Sequence, residues 1–137
     1  MAKIVKSALI TSDNKAIINH VVKFLSQHDF SVLIVKSSFD SILKILKYQV
    51  DLFLVDLETV TLEDIDFIKI LKKIRPRLPI IILTEDNSVE TIRELTQAGS
   101  SNIVLKPLKN GRLEQMFEAI DNYYQVQTEI DSFDNNK

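Results

Sequence analysis

The chain has 137 residues, 45% of them apolar and 26% charged, with a formal net charge of -2. That length suits one domain able to bury a substantial core, and lysines this dispersed give no concentrated basic surface for nucleic acid or anionic lipid. Absence of cysteine excludes a disulfide framework and a thiolate metal site, while the opening MAKIVKSALIT, broken at Lys6 and Ser7, is too short for an export signal or a membrane span; a cytoplasmic protein with no nucleic-acid or membrane partner is expected.

The run IVKSALIT (4–11) is apolar, β-branched and of strand length. After it Ile17, Ile18, Val21, Val22 and Leu25 recur at three- and four-residue spacing, with Lys15, Asn19, Lys23 and Gln27 largely opposite, the pattern of a helix with one buried face. FSVLIVK (30–36) reads as a second strand, and Phe39, Ile42, Leu43 and Leu46 repeat the helical pattern, which predicts a second helix buried through those residues. A third unit joins DLFLVD (51–56) to a helix marked by Ile65, Ile68, Leu71 and Ile74, whose lysines and arginines in KILKKIRPR belong to a solvated face and turn. Pro76 and Pro79 bracket the turn into PIIILT (79–84); Ser88 precedes a fourth helix carrying Val89, Ile92 and Leu95, and Gly99 stands where that helix should stop. SNIVL (101–105) and a last helix with Leu113, Met116, Phe117, Ile120 and Tyr124 complete five β-α units. Strands apolar on both faces and joined by helical crossovers predict an α/β fold, a doubly wound five-stranded parallel sheet of flavodoxin-like type, with right-handed connections. The domain is expected to span residues 1–125, and residues 126–137, ending in QTEIDSFDNNK, to form a polar acidic tail or the start of a linker.

In an open parallel sheet ligands bind outside the carboxyl ends of the strands. Asp56 ends the third strand, Thr84 the fourth, Lys106 follows the fifth, and Asp13 lies just beyond the first. A carboxylate can attack a phosphoryl group if the incoming negative charge is neutralised. Asp13 would hold Mg²⁺, which prefers one or two carboxylates and several waters; Lys106 would give a phosphate oxygen a point charge, and the Thr84 hydroxyl would donate to another. His20 and His28 are not spaced as a metal pair and suit surface or partly packed positions.

With these four positions and Pro107 in register, residues 3–124 resemble the receiver domain of bacterial two-component response regulators. The resemblance implies that Asp56 accepts a phosphoryl group from a histidine kinase or phosphotransfer protein, without steady turnover. It implies a Mg²⁺ site at Asp13, Asp56 and Glu58, a phosphate contact from Thr84, pairing by Lys106, and a cis bond before Pro107. The surface of the fourth helix, fifth strand and fifth helix, with Glu90, Arg93, Glu94, Asn102, Arg112 and Gln115, would meet an output protein or a second copy. Several positions depart from the family pattern. Ser12 replaces one of two adjacent acids, which should lower Mg²⁺ affinity; Glu85 replaces a small residue, adding bulk and like charge; Val60 and Asp64 replace a proline and a glycine in the loop beyond Asp56; Ile103 replaces an aromatic switch residue. These changes leave open a phosphorylation-independent pseudo-receiver that acts as an interaction module. The DLETV stretch also resembles the Asp-x-Asp-x-Thr/Val signature of haloacid-dehalogenase-like phosphatases, but Glu58 stands for the second acid, no acidic pair follows Lys106, and the length has no room for a cap domain.

Overall fold

The computed structural model describes residues 6–109 and 111–118. In chain order these form β1 (Lys6–Thr11), α1 (Lys15–Gln27), β2 (Phe30–Val35), α2 (Ser38–Lys47), β3 (Leu52–Leu57), α3 (Leu62–Ile74), β4 (Ile80–Thr84), α4 (Val89–Ala98) and β5 (Asn102–Leu105), and residues 112–118 are helical. Ile120, Tyr124 and the tail expected at 126–137 lie outside the described residues. The five strands form one sheet in the order β2-β1-β3-β4-β5, and every pairing is parallel. This is the doubly wound arrangement that the alternation of strand and helix patterns implies.

Burial follows position in the sheet. β4, held between β3 and β5, is buried throughout, and so are Leu52–Val55 of β3. Because successive strand residues point to opposite faces, the sheet separates two cores. Ala8, Ile10, Leu54 and Leu83 pack with Val21, Phe24 and Leu25 of α1 and with Leu113 and Met116. Leu9, Phe53, Val55 and Ile82 pack on the other side with Ile45, Ile68, Leu71 and Leu95. His28 lies against the rings of Phe24 and Phe117, with centroids 4.5 and 4.3 Å away, the partly packed role expected of it.

Local chemistry sets the helix ends. Asn14 accepts from the backbone of Ala16 and Ile17, Ser37 from Asp40, and Ser88 from Thr91, satisfying amide groups that a first helical turn leaves unpaired. Thr61 and Asp64 form a reciprocal capping box at the start of α3. Asp64, where a glycine was the family pattern, thus closes the N-terminal cap of α3. Gly99 ends α4 in the left-handed region at φ 117°, and a Cβ there would come 2.5 Å from Lys72 Cγ. Gly99→Ala is expected to cost about 1–3 kcal/mol, read as a lowered melting temperature; an unchanged melt would mean that the turn relaxes freely.

Two helix faces differ from the sequence expectation. On α2 the buried side chains are Ser41 and Ile45, whereas Phe39 is 69% exposed and Leu43 and Leu46 are about half exposed. The cause is a hydroxyl anchor. Ser41 Oγ and Thr11 Oγ1 lie 2.6 Å apart at the sheet, and Ser41 Oγ–H donates to the Ser37 carbonyl at 2.9 Å. This rotates the apolar stripe away from the core and leaves only Ile42 partly packed on it. Val89, expected on the buried face of α4, is the first residue of that helix and is 84% exposed.

Candidate functional site

Strand register brings the singled-out residues toward one rim. Thr11 pairs with Val55, so Ser12 arrives beside Asp56; Leu57 pairs with Thr84, and Thr84 with Leu105, so Lys106 follows directly. The Lys106 N–H donates to the Thr84 carbonyl at 2.9 Å, which extends the ladder one residue past β5. The Lys106–Pro107 bond is cis.

The centre of the rim is the Asp56 carboxylate. Lys106 Nζ donates to Oδ1 and Ser12 Oγ–H to Oδ2, each at 2.6 Å. The Lys106 and Asp56 side chains are only 6% and 5% exposed, so this is an ion pair largely withdrawn from water. Such a pair adds little net stability, because desolvation offsets attraction, but removing one partner is costly. Ser12 is itself buried, and its oxygen accepts from the Asn14 N–H at 3.1 Å, which directs the hydroxyl proton toward Asp56. A line of hydrogen bonds thus runs from the first turn of α1 to the carboxylate.

Thr84 is fully buried and accepts from the Asp86 N–H at 3.1 Å, leaving its own hydroxyl proton available to donate. Hydrogen bonds from the Ser88 backbone and side chain, with a smaller share from Thr91, hold the Asp86 carboxyl below its ordinary range. The sign follows: the support this carboxylate gives to the loop between β4 and α4 is present above the usual carboxylate range and lost as acid protonates it. Replacing Asp86 with Asn should therefore flatten the acid limb of the unfolding curve; an acid limb identical to that of the natural chain would show that the loop does not depend on this charge.

Asp13 and Glu58 are exposed at the same rim, in the segments that follow β1 and β3. Among the described residues no three His, Asp or Glu side chains gather as a metal cage. The donor set still fits Mg²⁺, which takes few protein carboxylates and keeps its water. Each Asp56 oxygen has one hydrogen-bond donor here, which leaves it further lone pairs. Glu85 is exposed and lines a shallow cavity of about 290 Å³ with Asn14, His20, Lys106, Pro107 and Leu108. Ile103 is partly buried against the core. Sequence reasoning read Ser12 only as a lost acid, and its position one residue past a strand adjacent to β3 was the signal that it touches Asp56.

Compared with known families, residues 8–118 match the response regulator receiver domain. The chain belongs to this family. It is 32% identical over 89 residues to the transcriptional regulatory protein ZraR of Salmonella typhimurium, an alignment covering 65% of this chain and 20% of that protein. It is 26% identical over 114 residues to the regulatory protein LuxO of Vibrio cholerae, covering 82% and 25%. The chain therefore spans a fifth to a quarter of the length of these relatives. In fold it matches a CheY-like receiver domain from Methanospirillum hungatei, with a TM-score of 0.77 and 24% identity over 90% of this chain and 99% of that one. A response regulator from Thermotoga maritima gives a TM-score of 0.78 at 18% identity, covering 86% and 99%. This receiver domain is thus of the kind used in two-component signalling. No helix among its described residues is long and apolar enough to cross a membrane.

Proposed function

We propose that this receiver domain takes a phosphoryl group on Asp56 from a histidine kinase or phosphotransfer protein in the cytoplasm and passes the change to an output partner. The observation that carries the reading is the Asp56 carboxylate at a strand end with the Lys106 ammonium 2.6 Å from Oδ1. In the transfer, an Asp56 oxygen forms the new O–P bond while the N–P bond of the donor histidine breaks, and the imidazole leaves with that electron pair. Lys106 then serves as counter-charge to a phosphoryl oxygen, and the Thr84 hydroxyl donates to another. Mg²⁺, when bound by Asp13, Asp56 and Glu58, supplies positive charge that offsets repulsion between carboxylate and phosphoryl oxygens. The chain's own task is to hold the carboxylate in place and keep bulk water from it. The domain is a self-catalysed phosphoacceptor without steady turnover, and the surface of α4, β5 and the helix at 112–118 contacts an output protein or a second copy.

The test is intact-mass measurement after incubation with acetyl phosphate and Mg²⁺: one phosphoryl adduct in the natural chain, none in Asp56→Asn. A second reading, a phosphorylation-independent interaction module, is favoured by a specific feature: Ser12 and Lys106 contact both carboxylate oxygens and the side chain is nearly sealed. No adduct in the natural chain, with or without Mg²⁺, would leave that reading in place.

A further inference from the structure

We propose that α2 is a dimerisation element: two copies of this domain pair α2 against α2, antiparallel, through the stripe of Phe39, Leu43 and Leu46. All three are exposed, although their spacing of four and then three residues is that of a seam between two helices. α2 meets its own domain through Ser41 and Ile45. The Ser41–Thr11 contact fixes that rotation, so the stripe cannot be turned inward without giving up a buried hydroxyl pair. A helix that turns its narrower, partly polar side to the core and an apolar stripe to solvent has the form of an interface.

The occupant is identified by charge. Asp40 follows Phe39 by one residue and Lys47 follows Leu46 by one, so both lie on the same flank of the stripe, seven residues apart. In an antiparallel pair about Leu43 the flanks face like with like. Asp40 of one copy then meets Lys47 of the other, and the same contact recurs across the two-fold axis, as an isologous interface requires. A parallel pair would instead turn each of these flanks toward the opposite flank of the partner, where Ile42 sits, and would leave Asp40 and Lys47 without an opposite charge. A uniformly acidic or basic partner would leave one of the two charges opposed. The Lys47 ammonium now rests 5.5 Å from the centre of the Tyr48 ring, a contact at an exposed residue that is weak enough to give way to a carboxylate.

This surface is distinct from that of α4 and β5 and does not depend on the state of Asp56. The test is sedimentation-based molecular mass of the full chain over a concentration series, without phosphodonor. A dimer is expected. Leu43→Glu and Phe39→Glu should weaken it at least about tenfold, because each buries a charge in the seam, and circular dichroism should show the fold intact, since both positions are exposed. Asp40→Lys should weaken it as well, and Asp40→Lys together with Lys47→Asp should restore it. A chain that stays monomeric at every concentration would overturn the proposal, including the case in which residues 126–137 cover the stripe within one copy. A dimer unaffected by Leu43→Glu but lost in Arg93→Glu would overturn it too, by assigning self-association to the α4 surface. Failure of the charge exchange to rescue Asp40→Lys would rule out the antiparallel pairing.

Discussion

Lys106→Ala is expected to lower the unfolding free energy by about 3–5 kcal/mol, the range for breaking a withdrawn ion pair by removing one member. The Asp56 carboxylate, 5% exposed, would keep only the Ser12 hydroxyl on Oδ2, while Oδ1 would lose its donor with little water to replace it. Part of the loss is packing, since the lysine stem is buried along with its ammonium; Lys106→Met separates the two by retaining the stem. The double variant Asp56→Asn, Lys106→Met should recover most of the deficit, because no charge is then left unpaired. Urea unfolding with an unchanged denaturant slope provides the measurement. A loss below about 0.5 kcal/mol for Lys106→Ala would place the pair among exposed ion pairs and remove the physical basis for a sheltered acceptor. The same substitution should also abolish or greatly slow adduct formation from acetyl phosphate, because the approaching phosphoryl oxygens would meet a carboxylate without its counter-charge.

Ser12→Asp should make the domain dependent on Mg²⁺. Ser12 Oγ lies 2.6 Å from Asp56 Oδ2, and a carboxylate introduced there replaces a donated proton by a like charge. In the presence of a chelator the variant should be about 1–3 kcal/mol less stable than the natural chain, within the cost of leaving a buried acceptor unsatisfied. Excess Mg²⁺ should recover that loss by binding preferentially to the folded state. With a further carboxylate joining Asp13, Asp56 and Glu58, Mg²⁺ affinity should rise at least about tenfold, since ligand charge tunes affinity at such sites. Thermal melts across a Mg²⁺ series give both numbers. If Mg²⁺ raises the melting temperature of the variant no more than that of the natural chain, the rim does not bind the ion through these carboxylates. Ser12→Ala distinguishes loss of the hydroxyl from gain of charge: it frees Oδ2 without adding a ligand, so it should not acquire the same Mg²⁺ dependence.

Much of this was legible in the residues themselves. The apolar runs within 51–56 and 79–84 read as buried strands, and Leu52–Val55 and Ile80–Thr84 are buried in the sheet. Ser88 and Gly99 announced the ends of α4 through chemistry confined to a single turn. The convergence of Asp56 and Lys106 on one rim followed from the rule for carboxyl ends of parallel strands. Ser12 was harder to read, since a serine beside an acid carries no sign of which atom it will reach; its role appears only when β1 is laid against β3.

Periodicity and local chemistry thus determined the order of the elements, the parallel sheet and the set of polar residues at its rim, because spacing and capping act over a few residues and need no knowledge of distant neighbours. Tertiary structure alone decided two matters. It rotated α2 so that Ser41, held by Thr11, faces the sheet and Phe39, Leu43 and Leu46 face solvent, a choice between two faces of one helix that depends on a partner 30 residues away. It also gave both Asp56 oxygens to Ser12 and Lys106, 44 and 50 residues distant, because hydrogen-bond partners are selected by the approach of strands in space, and separation along the chain holds no record of that approach.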